Sequence, residues 1–305
     1  MEKLLILGAG GFIGKAVVEK LSEQYLIRAF DRKIVDEFVK YNNVEMVVGN
    51  FVGSKNFDRY LDGIDTEIHL ISTTVPSDET ANIPDEIEEN IISTIKLLES
   101  MVRCNVKNII FASSAGTVYG ETGDRVNNVE SPLNPKCSYG VQKCVIEKYL
   151  EFYARRYGMN VKIMRITNPY GWGQDKNKVQ GLIPIFINKF LTGEPITIFG
   201  DGSHKRDYLF ITDLANAFLK VLEYQGDEHL FNIGYGEYYS INDIVHLIED
   251  EMDGSFADIK YVKSRFCDVH SSYVDVDKTQ KIINWHPTIS VELGIEKTIN
   301  ALNKR

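Results

Sequence analysis

The chain has 305 residues, 44% of them hydrophobic and 25% charged, enough to bury a large core and near the upper size of a single domain. With 34 basic against 43 acidic residues the formal net charge is -9, which argues against a nucleic-acid or anionic-membrane partner. No apolar run approaches the roughly 20 residues that span a bilayer, and the short, glycine-broken start at Leu4 reads as a first strand, not a leader.

That first strand runs straight into Gly8, Gly11 and Gly14, and an apolar-periodic stretch from Phe12 to Leu21 follows. A buried strand turning sharply into a helix presents free N–H groups and the positive end of the helix dipole to a pyrophosphate. Side chains at the turn would hold the phosphates away, so glycine is required there and at the helix–strand contact. Asp31 closes the next apolar run, Tyr25 to Phe30, and is placed to accept both ribose hydroxyls of an adenosine, which favours NAD. Arg32 and Lys33, directly after it, would suit the 2′-phosphate form instead.

Further strands are expected at 26–30, 44–48, 66–71, 107–112 and 161–166, after the first at 3–7, with helices near 12–24, 54–61, 86–104 and 140–157. Strands separated by helices imply an α/β fold, a doubly wound parallel (Rossmann) sheet whose ligands sit at the carboxyl ends of the strands. Thr73 and Thr74 follow the fourth strand, Ser113 and Ser114 the fifth, and Thr167 and Asn168 the sixth. After Asn168 the texture changes to glycine-rich loops and shorter elements: helices near 181–191, 212–223 and 241–252, strands at 196–199 and 230–233. The division expected is a dinucleotide-binding domain over 1–168 and a smaller C-terminal α/β lobe over 169–305, with some segments returning to the main sheet.

Tyr139 and Lys143 stand four apart at the start of a helical stretch and so share a face. A tyrosine ionises near 10, too high for a base at neutral pH, and a neighbouring ammonium would lower that value. Lys143 is also placed to hold a nicotinamide ribose. Cys104, Cys137, Cys144 and Cys267 show no metal spacing and read as free thiols of a cytoplasmic protein. The histidines make no ligand cluster, so no metal site is expected; Tyr170 and Trp172 read as loop packing.

With these residues in view, the chain resembles the extended short-chain dehydrogenases/reductases, and within them the NAD-dependent nucleotide-sugar epimerases and dehydratases. The resemblance spans nearly the whole length. It rests on GAGGFIG (8–14), Asn90, SSAGTVYG (113–120), YGVQK (139–143), RITNPYG (165–171), FGDG (199–202), RDYLFITDL (206–214) and RFCD (265–268). It implies cofactor contacts at Gly8, Phe12, Ile13, Asp31, Phe51, Leu70, Asn90, Tyr139, Lys143 and Thr167. It implies a nucleotide-diphosphate site from Asn168, Leu182, Phe199, Arg206, Arg265 and Asp268. Two arginines clamping a diphosphate, and a phenyl face offered to a uracil or thymine, agree with that placement.

Two positions depart from the family pattern. Asn50 stands where an aspartate usually binds the adenine amino group, and its amide oxygen can accept the same bond. Ala115 stands where a catalytic Ser or Thr is usual; in an extended segment Thr117 would share its face and substitute, ahead of Ser114. Gly116 and Thr117 supply no carboxyl group where dehydratases and decarboxylases carry one, which disfavours proton-shuttling elimination. The expected reaction is NAD-dependent 4-epimerisation of a UDP- or dTDP-hexose through a 4-keto intermediate. A 4-keto-6-deoxyhexose reductase using NAD(P)H is the alternative, and a non-catalytic dinucleotide sensor a further one. By analogy with relatives, the helices near 86–104 and 140–157 form a homodimer interface.

Overall fold

The computed structural model describes residues 1–76, 82–174, 181–252, 257–265 and 268–303. Seven parallel strands make the central sheet: β1 (Lys3–Leu7), β2 (Leu26–Asp31), β3 (Val44–Val48), β4 (Thr66–His69), β5 (Asn108–Ser114), β6 (Asn160–Ile166) and β7 (Leu230–Ile233). Their order is β7-β6-β5-β4-β1-β2-β3, every pairing parallel. The order reverses between β1 and β4, and it is outside the carboxyl ends at such a reversal that a crevice opens.

Strand β1 explains why its sequence is apolar without alternation. Leu4 and Ile6 point into one buried cluster with Val17, Val18 and Phe218, while Leu5 and Leu7 point into the other with Leu97, Leu98 and Ile146. Both faces of a parallel sheet are covered, so Leu4, Leu5, Ile6 and Leu7 are all buried.

The larger helices are α1 (Phe12–Leu21), α2 (Ser93–Arg103), α3 (Ser138–Tyr157), α4 (Leu182–Thr192), α5 (Ile211–Glu223), α6 (Ile241–Glu251) and α7 (Val291–Leu302). Helix α5 packs against α1, and β7 adds to the sheet beside β6, so two elements of the C-terminal half belong to the main sheet. The rest of that half is tied together by two-stranded ribbons. Ile196–Phe199 pairs with Ile259–Val262, Lys205–Arg206 with Tyr239–Ser240, and Tyr208–Phe210 with Asn168–Tyr170.

Some expected boundaries move. The helix near 54–61 is one turn, Asp58–Leu61, and the strand at 66–71 stops at His69. The helix near 86–104 is composite: Ile83–Glu86, a π-helical turn over Ile87–Ile92, then α2. The segment after β5 is not extended but a single helical turn, Ala115–Val118, so Ala115 and Thr117 do not share a face. Ala115 is instead buried in an apolar cluster with Val118, Tyr119, Val274 and Val276. Helix α7 was not expected, although Ser290 caps it, accepting from the Leu293 amide, and Val291, Ile295 and Ile299 recur at spacing four.

Candidate active site

A cleft of about 980 Å³ runs along the carboxyl ends of the strands, from the glycine turn past the start of α3 to the ribbons of the C-terminal half. That volume is at the upper end for small-molecule sites.

At one end, Gly8 takes φ +85°, and the amides of Gly8 and Ala9 donate to the carbonyl of Phe30. A Cβ at Gly14 would lie 2.1 Å from the Gly8 carbonyl oxygen, so only glycine lets α1 approach β1 this closely. Gly11 is the N-cap of α1 and no side chain caps it. Gly8, Gly11, Phe12, Ile13 and Gly14 all line the cleft. The helix end therefore faces open space with its positive dipole, and the residues present fit a dinucleotide pyrophosphate. The Asp31 carboxylate is fixed beside the glycine turn, one oxygen accepting the Gly10 amide at 2.9 Å and the other the Arg32 amide at 2.7 Å.

Leu70 and Thr167 line the same cleft, but five expected cofactor residues do not: Asp31, Arg32, Asn50, Phe51 and Asn90. Phe51 is 2% exposed, its ring packed between Phe57 and His69. Asn90 is an internal brace. Its Oδ1 accepts the Thr73 amide, and its Nδ2 donates to Thr73 Oγ1, Gln142 Oε1 and the Glu86 carbonyl. Asn50 is exposed, and its carbonyl accepts the Ser54 hydroxyl.

The middle of the cleft is built on α3. Cys137 caps this helix, its Sγ accepting the Gly140 amide, and thereby sets Tyr139 and Lys143 on the first turns facing the cleft. Lys143 Nζ donates to the Ala112 carbonyl at 2.8 Å and lies 4.6 Å from the centre of the Phe111 ring and 5.5 Å from that of Tyr139. Ser114, at the end of β5, lines the same stretch of the cleft as Tyr139, close enough for its hydroxyl to favour the ionised tyrosine. Thr117 also lines the cleft, but its Oγ1 donates to the Ser114 carbonyl.

Burial pushes Tyr139 up to about 12, against the lowering effect of the nearby Ser114 hydroxyl. Burial likewise lowers Lys143 to about 8, opposed by the negative charge of Glu147. The expectation that Lys143 depresses the tyrosine is thus reversed in the protein alone, because desolvation of the phenolate outweighs an ammonium spent on a backbone carbonyl. His69, lowered to about 3 by burial and by Lys143, is a neutral interior residue bonded to Thr94.

At the far end lie Asn168, Leu182, Phe199, Arg206, Arg265 and Asp268. The Arg265 guanidinium sits 4.5 Å over the Phe199 ring and is ion-paired to Asp268 at 3.1 Å, so one face of Phe199 is already covered. Arg206 donates to the carbonyls of Lys205, Val269 and His270, and Arg265 repels its charge, which places the two guanidiniums together. Asn168 is fixed by Nδ2 donating to the Asp207 carbonyl, and Thr167 by donating to the Asp207 carboxylate.

Sequence reasoning missed Lys136, Lys189 and His204, which line this end. Lys136 Nζ donates to the Asp268 carbonyl, joining the N-terminus of α3 to the segment that carries Arg265. Its place three residues before Tyr139 was the available signal. Among the described residues no group of three or more His, Cys, Asp or Glu is placed to hold a metal ion, and no helix is long and apolar enough to cross a membrane. Cys104, Cys137 and Cys144 are free thiols; Cys267 lies outside the described residues.

A glycine turn at the reversal of a parallel sheet, with a tyrosine and a lysine one helical turn apart on the same cleft, defines an extended short-chain dehydrogenase/reductase. The chain belongs to the NAD dependent epimerase/dehydratase family, whose model matches residues 4–234. A dTDP-4-dehydro-6-deoxyglucose reductase of Escherichia coli is 33% identical over 310 residues, covering 98% of this chain and 97% of that protein. A UDP-glucose 4-epimerase of Mycolicibacterium smegmatis is 27% identical over 305 residues, with 97% of each chain covered. The crystal structure of a UDP-glucose 4-epimerase from Thermotoga maritima with UDP-glucose superposes with a TM-score of 0.91 at 31% identity, covering 99% of both chains.

Proposed function

We propose that this chain is an NAD-dependent 4-epimerase acting on a UDP- or dTDP-activated hexose. The observation that carries the reading is one continuous cleft in which the glycine turn, the Ser114–Tyr139–Lys143 group and the Arg206–Arg265 pair follow one another. Gly116 and Thr117 bring no carboxylate to the middle of it, where an elimination would need an acid and a base.

The glycine turn, Thr167 and Lys143 would hold NAD, which would supply reversible hydride acceptance at the sugar C4 and a positive ring that favours a phenolate at 139. Tyr139 then accepts the proton of the sugar 4-hydroxyl and gives it back once the face has changed. The Ser114 hydroxyl, beside the tyrosine on the cleft wall, orients the sugar 4-hydroxyl for the transfer. Arg206 and Arg265 hold the diphosphate while the 4-keto sugar turns, so the sugar stays in the cleft between the two half-reactions.

The second reading is a nucleotide 4-keto-sugar reductase, favoured by the 33% identity with the Escherichia coli reductase. There Tyr139 would act only as a proton donor, and reduced cofactor would be consumed. The purified protein incubated with UDP-, dTDP-, GDP- and CDP-sugars, with and without NAD(P)H, separates the two when products are read by NMR. Inversion at C4 without net cofactor consumption is the expected result. Loss of NAD(P)H on a keto substrate establishes the reductase, and cofactor binding without turnover establishes a sensor.

A cytoplasmic homodimer completes the proposal. Helix α3 exposes Val141, Tyr149 and Phe152 beside an almost wholly apolar recess of about 430 Å³ that Pro135, Cys144 and Val145 also line. An exposed stripe at helical spacing suits a second copy of the same helix. A dimer mass by light scattering at micromolar concentration is expected, and a monomer would remove this part.

A further inference from the structure

Behind the cleft lies a buried charge pair that the reaction as described does not use. Glu147, fully buried one helical turn beyond Lys143 on α3, receives Arg165 of β6 through Nε and Nη2, the shortest contact being 2.7 Å. It also accepts the hydroxyl of Ser113, at the carboxyl end of β5 and itself on the cleft wall. Arg165 spends Nη1 on the Tyr119 hydroxyl at 3.0 Å and the Val129 carbonyl at 2.9 Å, and Tyr119 donates to Asn232 on β7. Every side-chain polar atom of Glu147 and Arg165 is thus hydrogen-bonded, and the carboxylate ties α3 to the ends of β5 and β6. A pair this deep stabilises little by itself against its desolvation, so its placement calls for another account.

The charged and titratable groups around Lys143 are few. Tyr139 lies on its own helix, neutral His69 across on β4, and Arg165 on β6, behind Glu147. Glu147 is the carboxylate whose field acts on Lys143. We propose that Glu147 is a positioning residue for the reacting centre: its carboxylate locks α3 to the ends of β5 and β6 and supplies the negative charge that keeps the Lys143 ammonium protonated beside Tyr139. The inference rests on the assignment of Tyr139 and Lys143 to the reacting centre.

The charge of Lys143 can be followed without turnover, by NMR titration of the ¹³Cε signals of lysine-labelled protein, with Lys143→Met identifying the resonance. In the wild type the midpoint is expected near 8. In Glu147→Gln it should fall by about one unit or more, because the burial penalty on the ammonium is no longer opposed. The alkaline limb of kcat/KM should move down with it. Glu147→Asp keeps the charge and should restore most of the wild-type midpoint. A structural role alone would lower the melting temperature of all variants and leave the midpoint in place. A folded Gln variant with an unmoved midpoint overturns the inference, as does an Asp variant that behaves like Gln. If Glu147→Gln fails to fold, Glu147→Gln/Arg165→Gln leaves no lone buried charge and should lower the midpoint in the same direction but by less, because the more distant Arg165 charge is lost with the nearer Glu147 charge; an unmoved one overturns the inference equally. Absence of turnover by the wild type on every nucleotide sugar would instead defeat the functional reading, whatever the titration shows.

Discussion

Ser114 and Tyr139 line the cleft together, the serine hydroxyl close enough to favour the ionised tyrosine, while Thr117, three residues on, turns its own hydroxyl back to the Ser114 carbonyl. The difference follows from one helical turn. Ser114 is the last residue of β5 and keeps the strand's direction into the cleft, whereas Thr117 lies within Ala115–Val118. A hydroxyl that orients the sugar 4-hydroxyl must act at the phenol group, and of the two it is Ser114 that does. Ser114→Ala is therefore expected to lower kcat by roughly 10²-fold, the scale of one lost hydrogen-bonding partner in an acid/base step. Thr117→Val should cost far less. Steady-state kinetics on the preferred nucleotide sugar decide it, and the reverse ranking would return the role to Thr117.

Tyr139→Phe removes the proton acceptor and leaves the glycine turn and Lys143 in place. Turnover should fall by about 10³-fold or more while NAD binding, followed by calorimetry, stays within a few-fold of the wild type. The pH profile carries a second sign. Lys143 titrates at about 8, so its ammonium is present below that value and lost as pH rises through it. Activity that depends on this charge should decline above pH 8. A flat profile up to pH 9.5 would show that the ammonium is not needed.

Much of this arrangement was legible in the residues alone, and the reasons are local. The β1 run reads as a buried strand because both faces of the sheet are covered, and the glycines at 8 and 14 are dictated by a positive φ and a 2.1 Å clash. Tyr139 and Lys143 meet because helical spacing allows nothing else. What failed depended on tertiary context. Residues 115–118 carry no periodic signal that distinguishes one helical turn from an extended step, so the Thr117 argument had the wrong geometry beneath it. Asn90 matches a position in a pattern, but whether its amide faces the cleft or Thr73 and Gln142 is decided by a π-helical turn. The two-residue strands, such as Lys205–Arg206, are too short to show a period of two and exist only because a partner strand is present. The reversal of the expected tyrosine shift came from burial, which a linear spacing does not reveal.

Gly14 and Gly53 form a controlled comparison. A Cβ at Gly14 meets backbone on three sides, the Gly8 carbonyl and the Ala9 carbonyl carbon and oxygen, none of which a rotamer change can move. Gly53, at φ +76°, has nothing within 4 Å. Gly14→Ala must push α1 off β1 and is expected to cost about 3 kcal/mol or more, and to weaken NAD binding by opening the cradle. Gly53→Ala bears only the left-handed backbone penalty of roughly 1–2 kcal/mol and should bind NAD normally. Urea denaturation with parallel NAD titration tests both; equal losses would show that the close approach at Gly14 is not what the fold depends on.

Glu67 stands in the middle of the sheet with both carboxylate oxygens buried and unbonded, its neighbours across β1 and β5 being Leu5 and Ile109. Desolvation raises its pKa well above the usual carboxylate range. The folded chain therefore holds a proton at Glu67 that the unfolded chain releases above about pH 4.3. With more protons bound in the folded state, stability is fully present below that value and falls as pH rises toward the folded-state pKa. Glu67→Met has similar length, carries no proton, and removes the penalty. The variant should be more stable than the wild type at neutral pH, and the difference should shrink as pH is lowered toward 4.5. Urea unfolding at several pH values measures it. A constant difference would mean that Glu67 does not titrate on folding, and a less stable variant would mean that its carboxyl group is satisfied by a buried water.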